Sequence, residues 1–274
     1  MDAGAHIRFC TLLMDLELRG KSVLITGASK GIGFACAAAF AAEGCRLHLA
    51  ARSATALEDA RSRLLAQYGV EVVCHPCDLG VTADVMALGR DCRGVDVLVN
   101  NAGAIPGGRL DQIDDVQWRR AWDLKVFGYI NLTREVYAGM RGRGQGVIIN
   151  VIGLAGERNR PEYIAGSSAN AGLMAFTRAL GAESVDHGVR VVGVNPGRIE
   201  TERQHEVMMD MAAAKLGDRA RWKEMLAKMV ETLPFKRLGQ PQEVADLVAF
   251  LSSARASYIS ATVVSIDAGQ SLRA

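Results

Sequence analysis

The 274-residue sequence has little net charge and no long apolar run. Its 32 Lys and Arg residues nearly balance 30 Asp and Glu residues, which leaves a formal charge of +2. So small a surplus argues against a surface for nucleic acid or for an anionic membrane. Residues 1–14 contain only a short apolar run, too brief for a secretion signal or a bilayer span. We therefore expect a cytoplasmic protein with no nucleic-acid or membrane partner.

The six cysteines are scattered along the chain rather than grouped in a framework. Cys74 and Cys77 have the spacing of a redox dithiol, but such pairs open a helix, whereas Asp78 and the residues after it read as a loop. We therefore expect small, buried thiols at strand ends and no metal site.

The apolar pattern predicts one α/β domain. Apolar residues make up 49% of the chain, and Gly and Pro are near average abundance, which excludes disorder, collagen and coiled coil. Seven short apolar runs are predicted strands: 23–26, 46–50, 70–74, 95–99, 147–151, 189–194 and 262–266. Segments of helical length lie between them: 32–43, 54–68, 82–92, 116–141, 165–187 and 241–253. This alternation predicts a Rossmann-like, doubly wound, seven-stranded parallel sheet flanked by helices, with ligands beyond the carboxyl ends of its strands.

Two segments fall outside that rhythm. Residues 1–13 are predicted to be an N-terminal extension, and residues 14–274 a single dinucleotide-binding and catalytic domain. Residues 200–232 contain five methionines and Trp222, which fits a helical lid over an apolar substrate. An ordinary amphipathic helix pair packed on the body fits the same composition.

A glycine-rich turn follows the first predicted strand and opens an Ala-rich helix. Its glycines stand at 27, 31 and 33. Glycine lets the backbone approach a pyrophosphate, and the helix N-terminus offers free N–H groups and a positive dipole. The position of the turn, between the first strand and its helix in an alternating chain, predicts a dinucleotide site.

From Leu16 to Ser271 the sequence resembles the short-chain dehydrogenase/reductase family. The spaced glycines match its phosphate loop, Asp78-Leu79 its adenine contact and Asn100-Asn101-Ala102-Gly103 its motif after a strand, while Asn195-Pro196-Gly197 with Thr201 match its nicotinamide-side loop and Asp267-Ala268-Gly269 resembles its closing motif. The resemblance implies oxidoreductase activity on a small-molecule substrate. The predicted cofactor-binding residues are Gly27, Ser29, Lys30, Gly31, Ile32, Gly33, Arg52, Ser53, Asp78, Leu79, Asn100, Ala102, Gly103, Pro196, Gly197, Ile199 and Thr201.

The end of the second predicted strand favours NADP over NAD. An NAD-binding protein has an Asp or Glu there to accept from the ribose 2′-hydroxyl, but this chain reads Ala50-Ala51-Arg52-Ser53. Arg52 and Lys30 instead offer two cations to a 2′-phosphate.

The residues that carry the family's chemistry are absent. The resemblance implies a serine, a tyrosine thirteen residues later, a lysine four residues beyond and an asparagine in the preceding helix. The matching positions here are Gly153, Gly166, Asn170 and Lys125. A rival alignment puts Tyr163 at the tyrosine position and Ser167 at the lysine position.

Two interpretations therefore remain. In the first, a reductase works through a rearranged site. Lys125 and Asn170 have exchanged the positions of the family's lysine and asparagine, and Tyr163 is the acid near Lys125. In the second, the chain is a pseudoenzyme that binds NADP and serves a binding or assembly role.

Features of the substrate and assembly follow less directly. Arg109, Arg158, Arg160 and Arg198 are expected to rim the site, either for a substrate carboxylate or phosphate or as solvated charges. Family resemblance implies a homodimer or homotetramer paired through residues 116–141 and 165–182.

Overall fold

Seven parallel strands form one sheet in the order β3-β2-β1-β4-β5-β6-β7. The structure is a computed structural model that describes residues 15–273, so the whole predicted extension 1–13 and its boundary with the domain lie outside the described residues. The strands are β1 Ser22–Thr26, β2 Arg46–Ala51, β3 Val72–Pro76, β4 Val97–Asn100, β5 Gly146–Val151, β6 Val189–Pro196 and β7 Thr262–Ile266. The order reverses between β1 and β4, which opens a crevice at the carboxyl ends. The doubly wound fold is confirmed.

Helices cover both faces of the sheet. They are α1 Gly31–Ala42, α2 Ala54–Tyr68, α3 Thr82–Asp91, α4 Asp115–Trp122, α5 Gly128–Arg143, α6 Ile164–Ser184, α7 Glu202–Leu216, α8 Trp222–Thr232 and α9 Pro241–Ser252. No helix within residues 15–273 has the length and apolar character needed to cross a membrane.

The segment 116–141, predicted as one helix, is interrupted. A π-helical turn, Asp123–Phe127, joins α4 to α5, and the Gly128 N–H bonds to the Asp123 carbonyl across it. Such single turns widen a helix locally and are frequent at functional sites. Lys125 lies at its centre.

Central strands are buried on both faces, as their apolar runs predict. All five residues of β1 and all four of β4 are buried. Parallel strands covered by helices on each side have this pattern.

A buried amide network ties the sheet to its helices. Asn100 Nδ2 donates to Thr133 Oγ1 at 3.0 Å and to Asn150 Oδ1 at 2.9 Å. Asn150 Nδ2 donates to Thr177 Oγ1 at 2.9 Å, and Thr177 Oγ1 donates to the Leu173 carbonyl at 2.7 Å. The network joins β4 and β5 to α5 and α6, and it holds the strand ends that face the crevice.

The segment 200–232 is a helix pair, α7 and α8, that packs together. Thr201 caps α7 by accepting from the Gln204 N–H at 3.2 Å. Met208 is fully buried, so it serves as core. The helices expected for residues 200–232 are present as α7 and α8.

Candidate active site

A cavity of about 220 Å³ opens at the carboxyl ends of the strands. The walls come from the first turn of α1, the ends of β4 to β6, the π-helical turn and the start of α7. The lining residues are Ile32, Asn101, Lys125, Val151, Ile152, Gly153, Pro196, Gly197, Ile199, Thr201, Arg203, Gln204 and Val207. Six of these are among the predicted cofactor and catalytic residues: Ile32, Lys125, Pro196, Gly197, Ile199 and Thr201.

The glycine-rich turn has the close packing that a phosphate loop needs. A Cβ at Gly33 would lie 2.2 Å from the Gly27 carbonyl oxygen, so only glycine fits where α1 meets the turn. The residue that caps α1, Lys30, makes no side-chain bond to the first N–H groups. These groups and the helix dipole remain available to an anion.

The turn is anchored to the loop after β4. Thr26 Oγ1 accepts from the backbone N–H groups of Asn101 and Ala102 at 2.9 and 3.0 Å. Asn101 Nδ2 donates to the Thr26 carbonyl at 2.9 Å. Asn101, which the sequence prediction omitted, therefore lines the cavity, whereas the Asn100 side chain belongs to the buried network. The signal was present, because strand residues alternate in direction.

The two cations expected at a 2′-phosphate differ in their surroundings. Lys30 forms an exposed ion pair with Glu202 of α7. Arg52 is exposed at the end of β2 and has no carboxylate partner among the described residues. Arg52 is therefore the freer cation, while Lys30 must exchange Glu202 for a phosphate.

Residues expected at the adenine end lie near Arg52. Asp78 follows β3, the neighbour of β2, and its Oδ1 accepts from the Gly80 N–H at 2.9 Å. Leu79 is buried in the core cluster of that face. Ser53 caps α2 by accepting from the Ala56 N–H at 3.2 Å.

Lys125 is the ionisable group of the cavity whose pKa is most clearly displaced. Its stem passes over Gly103, where a Cβ would lie 2.9 Å from Lys125 Cδ. Its Nζ donates to the Ile152 carbonyl at 2.6 Å, and no carboxylate within residues 15–273 pairs with it. Burial without a counter-charge lowers the pKa of Lys125 to about 8. A lysine in that range exchanges protons readily near neutral pH.

Asn170 lies beside Gly153, as the alignment places them. Asn170 Nδ2 donates to the Gly153 carbonyl at 3.2 Å. Its Oδ1 is buried and has no hydrogen-bond partner among the described residues. A buried acceptor without a partner costs about 1–3 kcal/mol, which a donor from a ligand would recover.

Tyr163 occupies the space that a side chain at position 166 would need. A Cβ on Gly166 would lie 2.0 Å from Tyr163 Cε1 and 2.2 Å from its Cζ. The ring packs with the cluster around Ile105 and Val126, and burial raises the pKa of the phenol while Arg203 opposes that shift. No hydrogen bond joins its hydroxyl to Lys125 in the described part of the chain, so the structure does not form the expected Tyr163–Lys125 pair.

The start of α7 supplies a cation that sequence reasoning missed. Arg203 lines the cavity and donates to the Ile105 carbonyl at 2.8 Å. The only sequence signal was its position, two residues after Thr201 in a helix rich in charges. None of the five methionines of the helix pair, all of them described, lines this cavity.

The arginines expected at the rim are mostly occupied. Arg109 pairs with Glu162, and Arg158 donates to the Gln270 carbonyl at 2.7 Å. Arg198 is half-buried, and both burial and Arg160 lower its pKa. Arg203 is thus the arginine that borders the cavity.

The chain belongs to the short chain dehydrogenase family, whose model matches residues 21–212. Galactitol 2-dehydrogenase (L-tagatose-forming) of Cereibacter sphaeroides is 32% identical over 255 residues, which cover 92% of this chain and 96% of that relative. Crystalline L-sorbose reductase from Gluconobacter frateurii, complexed with NADPH and L-sorbose, has a TM-score of 0.88 at 32% identity and covers 95% of this chain and 100% of that one. A 7α-hydroxysteroid dehydrogenase complexed with NADH has a TM-score of 0.82 at 28% identity, with coverages of 93% and 96%.

The residues present fit a nicotinamide dinucleotide. A phosphate finds the open N-terminus of α1, and a Cβ at Gly33 would close the turn below it. Asn170 donates to the carbonyl of Gly153, which lines the cavity, and its buried Oδ1 has no hydrogen-bond partner among the described residues, so it is an acceptor left for a ligand donor.

Proposed function

We propose that this protein is an NADP(H)-dependent oxidoreductase that interconverts a carbonyl compound and an alcohol through an atypical site. The observation that carries the proposal is Lys125, a lysine with a pKa near 8 that lines the cavity. Family membership and the NADPH complex of L-sorbose reductase support it.

The preference for NADP rests on Arg52. Neither Ala50, Ala51 nor Ser53 offers a carboxylate to a ribose 2′-hydroxyl, and Arg52 has no ion-pair partner in the described range. The Lys30–Glu202 pair is exposed, so it contributes at most about 1 kcal/mol and a phosphate can displace it. Because the related hydroxysteroid dehydrogenase forms a complex with NADH, the affinity for NADPH has to be compared with the affinity for NADH.

Lys125 is proposed as the proton donor. A nicotinamide dinucleotide held by the N-terminus of α1 and by the loop with Pro196 and Thr201 would supply the hydride for the substrate carbonyl carbon. The Lys125 ammonium gives one proton to the carbonyl oxygen, which leaves an alcohol and a neutral amine that regains its proton from water. The Ile152 carbonyl holds the ammonium at the cavity wall meanwhile. In the reverse direction the neutral amine accepts the proton of the alcohol.

Asn170 and Tyr163 are assigned supporting roles. Asn170, fixed by the Gly153 carbonyl, presents its Oδ1 to a hydroxyl of the nicotinamide ribose. Tyr163 fills the space beside Gly166 and shapes that side of the site. The earlier expectation of Tyr163 as the acid gives way to Lys125, because the hydroxyl has no bond to Lys125 and burial raises its pKa.

The substrate is proposed to carry hydroxyl groups or an anionic group near its carbonyl. Arg203 borders the cavity and retains donors beyond its bond to Ile105. Galactitol and L-sorbose, named for two relatives, are polyhydroxylated. Arginine binds both vicinal hydroxyls and carboxylates through its planar fork.

A second candidate function is that of an NADP-binding protein without redox turnover. It is favoured by Gly153 and Gly166, which offer no side chain at two positions where the family reaction uses hydroxyls. Pairing through α4, α5 and α6 into a dimer or tetramer would suit either candidate.

One experiment separates the two functions. Purified protein is mixed with NADPH or NADH, affinity is read from nicotinamide fluorescence, and ketoses, ketones and 3-oxoesters are screened for cofactor oxidation. The oxidoreductase predicts NADPH oxidation with at least one of these carbonyl classes. Tight NADPH binding without turnover supports the second candidate, and NADH preference contradicts the role of Arg52.

A further inference from the structure

Two histidines and a cysteine converge on one face of the sheet, away from the cofactor cavity. His48 lies on β2 and His75 on β3, and the parallel register aligns His48 with Val73 and Ala50 with His75. Because residues two apart share a face, both imidazoles point to the same side. Cys92 immediately follows α3, which packs on that side.

The three donor atoms have the spacing of a metal-binding triad. His48 Nδ1 lies 3.0 Å from His75 Nε2, and Cys92 Sγ lies 3.7 Å from each nitrogen. A tetrahedral zinc ion with bonds of about 2.0 Å to nitrogen and about 2.3 Å to sulfur requires edges of roughly 3.4 Å and 3.6 Å. The triangle thus matches one face of such a tetrahedron within about 0.4 Å.

The site has an entrance. A cavity of about 220 Å³ is lined by His48, Cys92, Glu71 and Asp91, with Ser22 at the amino end of β1. It therefore opens at the edge of the sheet opposite the glycine-rich turn.

We propose that His48, His75 and Cys92 bind one zinc-class divalent cation, with water or the Asp91 carboxylate as fourth ligand. The mixed nitrogen and sulfur donors select zinc over magnesium or calcium. As the sulfur–metal bond forms, the Cys92 thiol releases its proton to water. The ion would join β2, β3 and the end of α3, so its effect is on stability. This proposal departs from the expectation of no metal site, which had no local motif to oppose it because the three residues are 27 and 17 positions apart.

Titration of protein purified without a histidine tag tests the proposal. Co²⁺ should give tetrahedral visible bands and a thiolate charge-transfer band that saturate at one ion per chain, and Zn²⁺ should displace it. Cys92→Ser should abolish the charge-transfer band, and His75→Gln should weaken binding at least tenfold. Cys74→Ser is the matched control. Cys74 lies on β3 beside His75, but its thiol donates to the Leu57 carbonyl on the other face of the sheet.

A melting curve gives a second readout that does not use activity. Zn²⁺ at a hundredfold excess over its dissociation constant should raise Tm by about 5 °C in the parent protein and in Cys74→Ser. It should leave Tm unchanged in His75→Gln, which remains informative if Cys92→Ser fails to fold. Two results would overturn the site: no stoichiometric cobalt signal in the parent, or Co²⁺ binding by Cys92→Ser and His75→Gln as tight as in the parent. Either would show that these groups only hydrogen-bond to one another.

Discussion

Replacing Lys125 with Met should remove turnover while leaving the fold at least as stable. Methionine keeps the apolar stem over Gly103 but has no proton to donate. Loss of a general acid typically costs a factor of about 10² to 10⁴ in rate. NADPH affinity should change little, because the phosphate loop and Arg52 are untouched.

The pKa of Lys125 sets the expected stability change. Its ordinary value of 10.5 falls to about 8 in the fold, which corresponds to at most about 3 kcal/mol of unfavourable burial at neutral pH. Water in the open cavity and the lost bond to Ile152 reduce that figure, so Lys125→Met should raise the free energy of unfolding by about 1 kcal/mol at pH 7. The unfolded chain binds more protons between the two pKa values, so the parent should gain stability as pH rises from about 8 to 10.5, and the variant should lack this gain.

Two assays check this prediction. Steady-state reduction should give a parent kcat/KM that is level below pH 8 and falls above it, since the ammonium form is the donor; alcohol oxidation should show the opposite slope. Urea unfolding of the parent and of Lys125→Met at pH 7 and pH 10 measures the free energy of unfolding and its change with pH. Unchanged turnover in Lys125→Met would refute the assignment, and a variant that loses both stability and NADPH binding would show a structural role instead.

Three further substitutions probe other parts of the account. Arg52→Ala should weaken NADPH binding by about 10- to 100-fold, the value of a charge-assisted contact, and leave NADH binding unchanged in the same fluorescence titration. Tyr163→Phe should retain kcat within about threefold, because the hydroxyl has no bond to Lys125; a loss near that of Lys125→Met would restore the tyrosine as the acid. Asn100→Ala should lower the free energy of unfolding by about 2–4 kcal/mol in urea titration, since it leaves the partners on Asn150 and Thr133 unpaired in the core.

The sheet and its crossovers were predictable because the apolar pattern is strong. Predicted strands coincide with the observed ones to within two residues at every end, and α2 matches at both ends. The break at Asp123–Phe127 was not predictable, since one added residue in a turn leaves the apolar pattern of 116–141 nearly intact.

The candidate site was predictable in part. The turn, Lys125 and the loop with Pro196 and Thr201 meet at one cavity because parallel strands deliver their carboxyl ends to one edge. Contacts that depend on side-chain direction could not be predicted. They include the Lys30–Glu202 ion pair and the hydrogen bond from Arg203 to the Ile105 carbonyl. Both join segments that are distant in the sequence, and neither has a local signal.

The most direct test of the central claim is the oxidation of NADPH with a panel of carbonyl compounds, followed at 25 °C in the parent and in Lys125→Met. The account predicts turnover in the parent, and in the variant NADPH binding of similar affinity with turnover reduced at least 100-fold. Tight NADPH binding by the parent with no turnover of any carbonyl compound, and none of the corresponding alcohols with NADP⁺, would contradict it.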